Sequence, residues 1–142
     1  MNLSEHFTVE EFECKCGCGF RFPSQKLIDN LELLRAALGD KPIIPKSGNR
    51  CPPHNKAEGG APHSQHIRGA AADIYVPGMT PAEVMAVAET IGPVVGKPNE
   101  VDGFGGLGVG STIIHVDVRP RKSDGTRARW TYGNTNYEWR KK

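Results

Sequence analysis

The sequence predicts one small domain, residues 1–142, in which helices and strands are mixed. Three observations carry that expectation. A chain of 142 residues suits a single folding unit. Two segments, near 24–38 and 80–92, repeat apolar residues at helical spacing. Two others, near 71–76 and 112–118, are short apolar runs of strand character. With 37% hydrophobic and 7% aromatic residues the core should be modest, and 17 glycines with 11 prolines call for many turns.

The elements follow in chain order. Phe7-Thr8-Val-Glu-Glu11-Phe12 reads as a short helix start, with Thr8 capping the first turn, Glu11 at the capping-box position and Phe7 with Phe12 as a hydrophobic staple. Leu27, Leu31, Leu34 and Leu38 form one apolar face of a longer helix over Ser24 to Leu38, and Gly39 fits the left-handed stop. A short strand begins at Ile43-Ile44 and ends near Arg50. Cys51-Pro52-Pro53-His54-Asn55 is expected to be irregular, and Gly59-Gly60-Ala-Pro62 to continue the loop. Ala71 to Val76 reads as a buried strand. Thr80-Pro81-Ala82-Glu83 is a capping box with proline at the first helical position; Val84, Val87, Ala88 and Ile91 give that helix its apolar face and Gly92 its end. From Gly103 to Gly110 the chain is glycine-rich, but no Gly-Lys-Ser/Thr follows and a strand comes next. Close backbone packing or a bulged strand is therefore expected rather than a phosphate loop. Thr112 to Val118 alternates, placing Ile113, His115 and Asp117 on one face and Ile114, Val116 and Val118 on the apolar other. Trp130-Thr-Tyr132 and Tyr137-Glu-Trp139 supply a last strand or an aromatic lid.

A formal charge of +2 is too small to argue for nucleic acid. Positive residues concentrate near the C-terminus (Arg119, Arg121, Lys122, Arg127, Arg129, Arg140, Lys141, Lys142), where a solvated tail is expected rather than a polyanion-binding patch. No apolar run is long enough to span a membrane. Met1-Asn-Leu-Ser-Glu-His-Phe lacks a positive start and an apolar stretch, so synthesis in the cytoplasm without a signal peptide is expected. A substrate outside the membrane would then need a separate delivery step.

Cysteine use is unusual. Cys14-Lys-Cys16-Gly-Cys18-Gly places three thiols in five residues, and Cys51 stands apart. A second, structural zinc site, a disulfide to Cys51 and free thiols are all compatible with that pattern, which is not the common C-x-x-C knuckle. None of these thiols is expected to be a nucleophile.

The chemistry concentrates elsewhere. His66 and Asp73 lie in Ser64-Gln-His66-Ile-Arg-Gly69-Ala-Ala-Ala-Asp73-Ile, and His115 lies in Ile113-Ile-His115-Val-Asp117-Val-Arg119. Two imidazoles and a carboxylate suit a zinc ion with one coordination position left open, as a catalytic site requires. His6, His54 and His63 are alternative ligands. Such a site also needs a cation for a substrate carboxylate or developing oxyanion, and an acid/base group. Arg50, just before the Pro-rich loop, is the candidate cation, against the ordinary alternative of a surface salt bridge. Asp117, beside His115 on one strand face, is the candidate base.

At these residues the chain resembles a known family. Ser47-Gly-Asn-Arg50-Cys51-Pro-Pro-His-Asn55, the S-x-H-x-x-G-x-A-x-D motif formed by Ser64, His66, Gly69, Ala71 and Asp73, and Ile114-His115-Val-Asp117-Val-Arg119 resemble the zinc D-alanyl-D-alanine carboxypeptidases and their phage-encoded relatives, which share a fold with the hedgehog signalling domain. The similarity runs from Phe7 to Trp130. It implies a small α+β domain with a mixed or antiparallel sheet and helices packed on one side. It implies that His66, Asp73 and His115 hold Zn2+, and that Arg50, with Ser64, binds substrate. The implied substrate is the stem peptide of peptidoglycan, cut at a D-Ala-D-Ala or L-Ala-D-Glu type bond; the missing signal and single compact domain lead to the expectation of a monomeric phage or prophage lysis enzyme. One position departs: many relatives carry an acid three residues before the last histidine ligand, and Thr112 stands there. The base would then be Asp117, Glu100 or Asp102. A two-residue shift on this strand, with Asp117 as third ligand and His115 handling the proton, is the alternative arrangement. A zinc-containing wall-binding module or phage structural module without turnover is the rival function.

Overall fold

A five-stranded sheet carries the architecture in the computed structural model, which describes residues 1–92 and 103–140. Its strands are β1 (Ile44–Ser47), β2 (Ala71–Tyr75), β3 (Gly106–Val109), β4 (Ile114–Asp117) and β5 (Ala128–Thr131), in spatial order β1-β2-β4-β3-β5. The first three pairings in that order are antiparallel, and β3 with β5 is parallel, so the sheet is mixed. The fold is α+β, as the resemblance implied.

Period-two alternation gives the sheet two unlike faces. Ala72 and Ile74, Ile114 and Val116, and Leu107 and Val109 point into the core. Helices α1 (Gln25–Ala37) and α3 (Pro81–Ala88) supply Leu27, Ile28, Leu31, Leu34, Val84, Met85 and Ala88 to the same core. The leucine spacing read from sequence is the buried stripe of α1, and Gly39 takes the left-handed conformation (φ 74°) that ends it. At α3 the capping box forms from both sides: the Glu83 N–H donates to the Thr80 hydroxyl (3.1 Å), and the Thr80 N–H donates to the Glu83 carboxylate (2.8 Å). This helix stops at Ala88, short of the expected Gly92, and Ile91 packs on the core from the turn beyond.

Three local expectations need correction. Residues 7–12 give only a 3-10 turn, Glu10–Phe12: the Thr8 N–H and hydroxyl both donate to Glu11, so the box is one-sided, while Phe7 and Phe12 meet edge to face at 5.9 Å. The Pro-rich segment is helical, forming α2 (Pro52–Ala57). Prolines at its first two positions occupy sites whose N–H has no intrahelical partner, so they start the helix instead of forbidding it. The strand expected to reach Arg50 ends at Ser47. The basic cluster is also partly absorbed: Arg119 binds Asp117, Arg129 pairs with Glu89, and Arg127 donates to the Glu89 and Ile91 carbonyls. Lys141 and Lys142 lie outside the described residues, as do Glu100 and Asp102. Among the described residues no helix is long and apolar enough to cross a membrane.

Candidate metal centre

The second face of the sheet carries the site. Register aligns Ser47 of β1 with Asp73 of β2, Asp73 with His115 of β4, His115 with Gly108 of β3, and Gly108 with Trp130 of β5. Side chains in such a row all project from one face. His66 comes from outside the sheet, on the 3-10 turn Gln65–Arg68 immediately before β2. The Ser64 hydroxyl caps that turn by accepting from the His66 N–H (3.2 Å), and Gly69 closes it at φ 69°. A side chain at Gly69 would strike the Phe22 carbonyl and the Asn49 amide. The serine and glycine of the motif are thus the local reason that His66 faces Asp73.

The three expected ligands converge. One donor atom from each of His66, Asp73 and His115 lies within 4.8 Å of the other two. His66 Nε2 is 3.4 Å and His115 Nδ1 is 3.2 Å from Asp73 Oδ1. The remaining atoms of each ligand are held from behind. His66 Nδ1–H donates to the Gly48 carbonyl (2.7 Å), which leaves the Nε2 lone pair facing the cluster. His115 Nε2–H donates to Asp117 Oδ2 (2.7 Å), which turns Nδ1 inward. Arg50 Nη2 donates to Asp73 Oδ2 (2.8 Å), leaving Oδ1 to the two imidazoles. Two imidazole nitrogens and one carboxylate oxygen aimed at one point, each with an outer partner that fixes its orientation, fit zinc. His6, His54 and His63 do not join: His6 is bound to Glu32, His54 is 3.7 Å from Glu58, and His63 is exposed.

Electrostatics follow from this geometry. Burial pushes the Asp73 carboxyl up, but hydrogen bonds and charge from His115 and His66 outweigh it and hold the group well below the usual carboxylate range. Burial pulls His115 down, yet Asp117 and Asp73 on either side raise it above an ordinary histidine. Asp117 is fully buried, which alone would raise it; His115 and Arg119 lower it to about 2.

Asp117, the candidate base, flanks His115 on the same strand face as expected, and its carboxylate is held from both sides. Its Oδ1 accepts from the Arg119 N–H (3.0 Å) and Nε (2.9 Å), and its Oδ2 from Arg119 Nη2 (2.7 Å) and His115. Both oxygens are taken, and Asp117 is not among the residues lining the cleft. Among the described residues the sheet-face group that could hold a metal is His66, Asp73 and His115, without Asp117.

A cleft of about 500 Å³ opens over the three donors, walled by Arg50, Ser64, Glu58, Arg119, Trp130 and Tyr132 among others. Trp130, expected in a last strand or an aromatic lid, lies on the last strand, β5, and its place in the cleft wall was not foreseen: its indole lies 5.1 Å from the His115 ring, with the Arg119 guanidinium 5.1 Å from the indole. The glycine-rich stretch makes room for it. A Cβ at Gly106 would meet the Asp117 carboxylate, at Gly108 the Trp130 indole, and at Gly110 the Tyr132 ring. Close packing, expected for this stretch, therefore has a specific use. Thr112 is exposed and is not part of the cleft wall.

A family model described as peptidase M15 matches residues 5–117. That span contains Arg50, all three converging donors and Asp117. Comparison with curated proteins gives no match.

Proposed function

The chain belongs to the peptidase M15 family, and on that premise we propose that it is a zinc metallopeptidase that hydrolyses stem-peptide bonds of peptidoglycan. The D-Ala-D-Ala carboxypeptidase and L-Ala-D-Glu endopeptidase types are the candidate activities, in a phage or prophage lysis enzyme acting at the bacterial wall. The single observation that carries the reading is the convergence of His66, Asp73 and His115 on the floor of an open cleft.

His66, Asp73 and His115 would hold the ion. When bound, zinc supplies a Lewis acid that polarises the scissile carbonyl and makes water acidic near neutral pH. The chain's own residues do the rest. Arg50, fixed by Asp73 and by its Nε–H to the Ser47 hydroxyl (3.0 Å), presents a guanidinium at the cleft wall for a substrate carboxylate or carbonyl oxygen. Ser64 lines the same wall while capping the turn of His66. Trp130 packs against the His115 ring at the cleft wall. Asp117 is a positioning residue: it holds the His115 tautomer and is itself neutralised by the Arg119 fork. Proton handling falls to a group in the cleft, and Glu58 is the acid other than Asp73 that lines it among the described residues.

The test is hydrolysis of purified wall peptides before and after chelation. Chelator is expected to abolish release of new amino termini and zinc to restore it; full activity after complete metal removal contradicts the proposal. One observation favours a second reading, a zinc-holding wall-binding module without turnover: Thr112 stands exposed where many members of the resembled family carry an acid. Retained wall binding with no new amino termini would select that reading.

A further inference from the structure

We propose that Cys14, Cys16, Cys18 and Cys51 hold a second metal ion, a zinc ion in a closed all-thiolate site that fastens the loop bearing Arg50. The four sulfurs lie within 4.8 Å of one another. Cys14 Sγ is 3.4 Å from Cys16 Sγ and 3.8 Å from Cys51 Sγ, and Cys16 Sγ is 3.5 Å from Cys51 Sγ. Four sulfurs at about 2.3 Å from a central zinc form a tetrahedron with edges of about 3.8 Å. A disulfide would need about 2.05 Å, and all four cysteines are free. The cluster thus has the spacing of metal ligands and not of a covalent pair.

The local chain is built for this convergence. The Cys14 N–H donates to the Phe20 carbonyl (2.8 Å) and the Gly17 N–H to the Cys14 carbonyl (3.1 Å), closing a tight loop over residues 14–20. Gly17 (φ 82°) and Gly19 (φ 89°) take left-handed conformations that a side chain would resist, and so turn three alternate thiols to one side. The fourth comes from 37 positions away from Cys14, and the Cys51 N–H donates to Cys14 Sγ (3.5 Å). A backbone N–H on a sulfur suits a thiolate ligand, as outer partners suit other ligands. Soft thiolates in a tetrahedron select zinc, or iron as the competitor.

The placement gives this ion a task. Cys51 follows Arg50 directly and begins α2. The Asn49 N–H donates to the Phe12 carbonyl (2.9 Å), and the Arg50 N–H to the His66 carbonyl (3.1 Å). A closed thiolate centre joins the segment after Phe12 to the residue after Arg50, and so fixes both ends of this arrangement. The open His/Asp site gains a rigid wall without sharing a ligand.

The experiment uses the full chain, reduced and reconstituted with cobalt(II), with elemental analysis of the zinc form in parallel. Two zinc ions per chain are expected, one for each ligand group. Cobalt should give sulfur-to-metal charge-transfer bands in the near ultraviolet that survive His66→Ala. Cys18→His, which keeps four ligands, should retain the metal with weaker charge transfer. Cys16→Ser with Cys18→Ser should lose the bands and speed amide exchange at Asn49 and Arg50. A wild-type protein without charge-transfer bands overturns the site even if no variant folds. So does a disulfide found by intact mass. Iron in place of zinc overturns the zinc assignment, and unchanged exchange overturns the fastening role. No arm uses a substrate, so failure here is distinguishable from failure of the hydrolytic reading.

Discussion

His66, Asp73 and His115 stand on the floor of a cleft, two of them on adjacent strands, whereas the thiols sit in a glycine-turned loop and at the start of a short helix. The first set mixes nitrogen and oxygen donors, and each ligand is braced from behind by Gly48, Arg50 or Asp117. The second is all sulfur and needs no cleft. A site of three protein ligands keeps a position open for reaction; a site of four is complete and can only hold structure. Rigid strands suit the first task, because the position of the open coordination site depends on ligand angles. A loop suits the second, because the ion itself supplies the rigidity.

The comparison breaks most visibly at His66. His66→Ala should remove metal from the sheet site and reduce wall-peptide hydrolysis to background, while one metal ion per chain remains at the thiols. Loss of both ions together would show that the two clusters are not independent.

Asp117 sharpens it next. Asp117→Ala should weaken zinc binding or turnover by about 10–100-fold, because it frees His115 and leaves Arg119 without its partner. Chelator competition reads the affinity. Unchanged affinity with collapsed turnover would return the base role to Asp117. Glu58→Gln is the companion variant, expected to lower kcat while metal content stays whole.

The apo and loaded forms should also answer pH differently. Asp73 and Asp117, held low, add stability that is present above the unfolded carboxylate value of about 3.9 and is lost as pH falls through the folded value, about 2 for Asp117. His115, held high, adds stability that is full below about pH 6.5 and is lost as pH rises through its folded value. Chelated protein should therefore melt highest between about pH 4 and about pH 6.5 and less well in alkali. Zinc-loaded protein should lack the alkaline fall, since metal replaces the proton on His115. Calorimetry checks this, and a chelated form that gains stability from neutral to alkaline pH contradicts it.

The smallest effect concerns the packing under the site. Gly108→Ala places a methyl group against the Trp130 indole and should cost about 1–3 kcal/mol. Its activity should fall while the thiolate site is untouched. Equal stability to wild type would show that the indole has room to move.

Much of this was legible where the signal is local. The leucines of α1 repeat within one helix, the Thr80–Glu83 box is complete in four residues, and β4 alternates cleanly, which puts His115 and Asp117 on one face, where the structure has them. The motif from Ser64 to Asp73 sits in one turn and one strand, so its convergence with His115 needed only one strand pairing. Other features depend on distant partners. Nothing near Trp130 announces a parallel pairing with β3 that sets it over His115. Face-sharing brought Asp117 beside His115 but could not show that Arg119, two residues on, would claim both its oxygens. The prolines of α2 carried two meanings, and the helix start won because their missing N–H groups cost nothing there. The cysteine spacing left three options open because Cys51 meets the others only through the tertiary fold.

The most direct test of the central claim is anomalous diffraction at the zinc edge from crystals of the metal-loaded protein. A peak bounded by His66 Nε2, Asp73 Oδ1 and His115 Nδ1, at about 2.0–2.2 Å from each, is the predicted result. A map with no peak there, or with Asp117 in place of His115 at the ion, would contradict it.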